Sequence, residues 1–85
     1  MKQTTIDKAK MQKIYKQIGA NVKRVRKEKN ISQLALSLAI GHKAVGTISM
    51  AELTLNNKHF NLEHLFKIAE VLKVDVCEFL KDIKI

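Results

Sequence analysis

The stretch ISQLALSLAIGHKAVGTISMAE, residues 31–52, admits two readings. Leu34, Leu36, Leu38 and Ile40 alternate with Ala35, Ser37 and Ala39, a period of two that belongs to a β-strand. Ser32 before the run and Gly41 after it are instead the residues that open and close a helix: a hydroxyl to cap the first turn, and a backbone free to take positive φ. On a wheel of about 100° per residue, Leu36 and Ile40 share one face and Leu34 and Leu38 the opposite one. The alternation is therefore equally that of a helix apolar on two sides, and such a helix would be buried between neighbours. Ala35 and Ala39 favour helix over strand. The rest of the chain agrees, since it has no proline and only three glycines. The stretch is read as a helix over 32–40, a turn at Gly41, and a second helix from Lys43 or Ala44 to Leu53.

Upstream, Met11, Ile14, Ile18, Val22 and Val25 recur at steps of three and four, predicting a long helix over about 7–29 that stops at Asn30. Downstream, Val45, Ile48 and Ala51 form the inner side of the second short helix, with Glu52 beside them. TLNNKHF, residues 54–60, reads as a polar loop. Asn61 caps a fourth helix with Leu62, Leu65, Phe66, Ala69 and Leu72 as its core stripe, and Glu63 suits its first turn. Asp75 and Glu78 have the spacing of a capping box for a fifth helix over 76–82. Val76, Phe79, Leu80 and Ile83 give that helix an apolar face suited to a dimer interface, and Cys77 within it reads as a packing residue. The expectation is an all-α, compact five-helix domain over 14–85, preceded by residues 1–13 as a basic extension or the start of the first helix. Two short helices joined by a tight turn at Gly41 make it a helix-turn-helix.

Charge is distributed unevenly. Residues 1–30 hold ten lysines and arginines against only Asp7 and Glu28, whereas the remainder is neutral. The whole net charge of +8 thus sits in the first third, as expected for a polyanion-binding protein. A lone cysteine excludes an internal disulfide and fits a reducing cytoplasm. MKQTTIDKAKMQKIYKQ has no apolar stretch, which argues against a signal peptide, and no run approaches the roughly 18 apolar residues of a membrane span. His42, His59 and His64 lack partners at ligand spacing, so no metal is expected. No nucleophile–base arrangement or phosphate-cradling glycine loop is present, so neither catalysis nor a cofactor is expected.

The segment from about Ile18 to Leu80 resembles the phage repressor/Cro-type (XRE-like) helix-turn-helix family. The resemblance is carried by IGANVKRVRKEKNISQ, by Leu36 and Gly41, by Thr47, Ile48, Ser49 and Glu52, and by NLEHLFKIAEVLKVDVCEFL. It implies a lambda-repressor-like fold and a homodimeric, sequence-specific binder of double-stranded DNA, most often a repressor, with the helix at about 43–53 in the major groove. It also implies that Gln33 donates to a phosphate, and that Arg26 and Glu52 form an ion pair tying the first helix to the third. From Gly41 to Glu52 the chain has one residue more than the family pattern. Base-facing candidates therefore come from counting both ways: Val45, Gly46, Ser49 and Met50 from Ile48, Lys43 and Ala44 from Gly41, and Thr47 at the boundary. Val45 is equally placed to be core. Asn56, Asn57, Lys58 and His59, after the reader helix, are phosphate-contact candidates.

The reader face lacks the Arg, Asn and Gln of bidentate base readout, which leaves thymine-methyl contacts, phosphates and DNA shape to supply affinity. The same apolarity admits an adaptor that keeps the fold for protein partners, or the antitoxin half of a toxin pair. A restriction–modification controller is a further variant of the regulator. Leu34 and Leu38 need cover, by Ile6, Met11 or Tyr15 of the extension or by a second subunit. A third class is membrane-surface binding by the basic amphipathic first helix.

Overall fold

Asp7 opens the first helix by accepting the Lys10 backbone N–H on its carboxylate at 2.9 Å. Helix α1 (Lys8–Glu28) then runs for 21 residues, about 31 Å at 1.5 Å per residue. Its end is closed by Asn30 in the left-handed region (φ 57°), with the Ile31 N–H donating back to the Arg26 carbonyl at 3.1 Å. The computed structural model describes residues 2–41 and 45–84, with the backbone alone for Val45. Lys43 and Ala44, two of the expected base-facing residues, and the side chain of Val45, a third, lie outside the described residues.

The stretch 31–52 is helical. Ser32 Oγ accepts the Ala35 N–H at 3.0 Å, helix α2 (Gln33–Ala39) follows, and Gly41 ends it at φ 86°. Helix α3 (Val45–Leu53) leads through a single 3-10 turn at Leu55–Asn57 to helix α4 (Leu62–Leu72), and a second 3-10 turn spans Val76–Leu80. No strand occurs among the described residues.

Helix α2 is buried on one face only. Leu36 and Ile40 enter the core, but Leu34 and Leu38 remain 55% and 63% exposed. Within the chain the second face stays uncovered, because so small a domain lacks a further element to lie against it. The N-terminal extension does not cover it; its Tyr15 lies instead against His59, beyond α3.

Helix α4 carries two overlapping stripes of identical spacing. The buried one is Leu65, Ile68, Ala69 and Leu72, while Leu62 and Phe66, expected in the core, are 70% and 56% exposed. The N-terminus of α4 is capped reciprocally: Asn61 Oδ1 accepts the His64 N–H at 2.7 Å, and His64 Nδ1 accepts the Asn61 N–H at 3.2 Å.

The expected fifth α-helix over 76–82 is instead the short 3-10 turn. Asp75 does not form a capping box with Glu78; its carboxylate accepts the Cys77 N–H at 2.8 Å, and Glu78 pairs with Lys81 at 2.6 Å. Three residues per turn put Val76 and Phe79 on the same side. Phe79 is thereby fully buried in the core and cannot line a dimer interface, and Cys77 is exposed rather than packed. This C-terminal segment is fastened to α1 by Asn21, a buried side chain that the sequence reading passed over. Its Nδ2 donates to the carbonyls of Phe79 at 2.9 Å and Lys81 at 2.8 Å, and its Oδ1 accepts from Gln17 at 3.0 Å.

Helix α3 sits backbone-to-backbone on α1 at Gly19. A Cβ there would lie 2.8 Å from the Ala51 carbonyl oxygen and 2.9 Å from the Glu52 carbonyl carbon, closer than such atoms can approach. Gly46 faces open space. Gly19→Ala should therefore destabilise the fold by about 1–3 kcal/mol, whereas Gly46→Ala should stabilise it by up to about 1 kcal/mol; urea unfolding of the two variants checks the opposed signs. A second expectation concerns Asp75, whose carboxyl is held below its ordinary value chiefly by the Cys77 N–H, and which in turn holds the Cys77 thiol above its own. Alkylation of Cys77 at neutral pH should be slow for an exposed thiol and should quicken in Asp75→Asn; an unchanged rate would show that the carboxylate does not control the thiol.

Candidate nucleic-acid interface

Ile48, Ala51 and Glu52 hold α3 to the body, each at most 3% exposed. The outward positions Gly46, Ser49, Met50 and Leu53 recur at steps of three, one and three, and so share one face. Leu53, 53% exposed, belongs to this face although the sequence reading did not include it. Gly46, Thr47, Ser49 and Met50 are half-buried. Ser49 Oγ donates to the Gly46 carbonyl at 3.1 Å, which leaves its lone pairs as acceptors toward solvent. Apart from that hydroxyl and Thr47, the described part of the face is apolar.

Three helices meet on one carboxylate. Arg26 on α1 donates from Nε to Glu52 Oε2 at 2.7 Å and from Nη2 to Oε1 at 3.1 Å, a bidentate pair. The side chains of the pair are 8% and 1% exposed. The third guanidinium nitrogen, Nη1, donates to the Ile31 carbonyl at 2.9 Å, at the entry to α2. Gln33, the first residue of α2, donates from Nε2 to Glu52 Oε1 at 3.0 Å. The buried carboxylate thus receives three hydrogen bonds, which offsets the cost of removing it from water. Half-buried Gln33 spends one amide N–H on this junction and retains a second that could meet a phosphate.

The loop after α3 is conformationally restricted. Thr54, Asn56 and Asn57 all have left-handed backbones, at φ 56°, 52° and 59°. Asn visits this region at little cost, whereas for β-branched Thr it is an outlier costing of order 1–2 kcal/mol. Thr54 Oγ1 is also buried without a partner. Asn56, Asn57 and Lys58 project into solvent. His59, expected among the phosphate contacts, is half-buried, with its ring stacked on Tyr15 of α1 at a centroid separation of 3.7 Å and 6° between planes. Phe60 is buried beside it and meets His64 edge-on at 6.2 Å. The loop is consequently held between α1 and α4 while its tip stays exposed.

Of the dimer-interface candidates other than Phe79, Leu80 is 49% exposed, and Val76 and Ile83 are half-buried against the core. Among the described residues there is no group of three or more metal-ligating side chains, and no helix is long and apolar enough to cross a membrane.

A family model described as helix-turn-helix matches residues 22–79, which takes in the C-terminal part of α1, the α2–α3 pair, the loop, α4 and the last 3-10 turn. No curated protein and no solved structure gave a match. Arg26→Leu, which strands the buried Glu52 carboxylate, should cost about 3–5 kcal/mol of stability. Lys29→Leu, at an exposed position on the same helix, should stay within about 0.5 kcal/mol. Equal unfolding midpoints for the two variants would show that the junction does not hold the domain together.

Proposed function

Given that the chain belongs to the XRE-type helix-turn-helix family of DNA-binding regulators, we propose that it is a sequence-specific, homodimeric repressor whose helix α3 enters the major groove. The observation that carries this reading is the Arg26–Glu52–Gln33 junction, which fixes the angle of α3 against α1 and α2 and leaves its Gly46–Met50 face outward. In the proposal, Thr47, Ser49 and Met50 meet base edges beside Gly46, with Lys43, Ala44 and Val45 at the leading end of the helix. Gln33, Asn56, Asn57 and Lys58 meet phosphates on either side of the groove.

So apolar a reader discriminates through thymine methyl groups and through the deformability of the duplex more than through bidentate hydrogen bonds. The second copy is seated by apolar side chains that this chain leaves exposed, Leu62 and Phe66 on α4 and Leu80 beyond it, with Val76 and Ile83 beneath. Exposed Leu34 and Leu38 favour a second reading, in which the fold serves as an adaptor or antitoxin for a protein partner.

Selection of bound sequences from a random duplex pool decides between them. The repressor reading expects a palindrome with half-sites about one helical turn apart and A·T-rich steps under the reader. Absence of any enriched sequence at every salt concentration would overturn it in favour of the adaptor.

A further inference from the structure

Helix α1 begins some four turns before the segment that the family model matches, and those turns carry charge without function in the reading above. Lys8, Lys13 and Lys16 are exposed, and among the described residues none is paired with a carboxylate. Asp7, the sole acid near them in sequence, is engaged in capping the helix. Lysines on a free helix end would be only a solvated surface. Here, however, the helix end is fixed at two points. Gly19 sets the crossing of α1 over the last turn of α3. One turn earlier, Tyr15 stacks on His59, directly after the exposed Asn56–Lys58 tip. The stack binds the basic turns of α1 to the loop that flanks the reader helix. On the wheel, Lys8 lies within about 20° of Tyr15, on the loop side of the helix, Lys16 flanks it at about 100°, and Lys13 lies about 160° away, on the opposite side.

We propose that the N-terminal turns of α1, with Lys8 and Lys16 held in place through the Tyr15–His59 stack, form a second phosphate-binding element that engages duplex DNA outside the segment read by α3. Lys58 joins the same positive surface from the loop. Tyr15 and His59 act as positioning residues, setting where the lysines lie along the backbone of the duplex. Such contacts carry no base information and lengthen the footprint of each subunit.

This inference rests on the DNA-binding reading, and one titration separates the failure of each. The full chain is titrated across a salt series with two duplexes: the selected site alone, and the same site with about ten base pairs added on each side. Wild-type protein should show the steeper salt dependence on the longer duplex. Replacing Lys8 and Lys16 with Gln should remove about 2 from that slope, close to 0.9 per lost contact, and leave the slope on the short duplex unchanged. Tyr15→Ala and His59→Ala should lose the same increment with every lysine present, and Tyr15→Phe, which preserves the stack, should retain it. Replacing Lys27 and Lys29, exposed residues away from these turns, removes equal charge and should not discriminate between the duplexes. Equal losses for the two double variants would overturn the proposal while leaving DNA binding intact. An unchanged DNA slope with lost binding to phosphatidylserine vesicles would overturn it in favour of a membrane surface. A wild-type chain that binds neither duplex would overturn the DNA reading and this one together.

Discussion

The Glu52 carboxylate is where the sequence-distant parts of the domain converge. It is almost wholly withdrawn from solvent and receives Arg26 from α1 and Gln33 from α2, so three helices share one charge. An isolated helix of nine residues such as α3 has no stability of its own in water. Its existence and its angle both depend on this junction, on Ile48 and Ala51 beneath it, and on the backbone contact at Gly19. A buried ion pair adds little net stability over an apolar replacement, but it tolerates few alternative geometries. That directional demand gives α3 one defined angle against α1 and α2.

Immediately beyond, the chain departs from regular structure. Left-handed Thr54, with its unpaired buried hydroxyl, is the least comfortable residue described. Its conformation persists because both neighbouring segments are anchored: Ala51 and Glu52 in the core before it, and Phe60 in the core after it. The asparagines of the tip take the same backbone region at low cost and turn their amides outward. Restriction at the base of the loop therefore coincides with exposure at its tip. A short loop so held has little backbone freedom left to lose on any contact.

Much of this architecture was legible in the residues. Ser32, Gly41, Asn30 and Asn61 announced helix ends through their own chemistry, and each occupies the terminus expected of it. What could not be read was the choice between equivalent patterns. Leu62 with Phe66 and Leu65 with Ala69 have the same helical spacing, and only the position of the other helices decides which pair is covered. The same holds for α2, whose two apolar faces differ in nothing but what lies opposite them. The 3-10 turn at Val76–Leu80 escaped because Asp75 and Glu78 fit a capping box by spacing, while two hydrogen bonds from Asn21, more than 50 residues away in sequence, hold the backbone there. Arg26 and Glu52 were named from a resemblance, but the part of Gln33 in their junction was not, since a lone glutamine carries no signal of its partner. The stack of Tyr15 on His59 was equally silent, its members lying 44 positions apart with no pattern to link them.

The contact at Gly19 bears on how such a domain can change. Helix α3 is seated through its own carbonyl groups, and carbonyl groups are the same whatever side chain follows them. Ile48, Ala51 and Glu52 complete the seat, so the remaining positions of α3 can be rewritten without disturbing its placement. The scaffold thus separates holding from display: a new outward face can be acquired by exchanging a few side chains, on a helix whose socket is indifferent to the exchange.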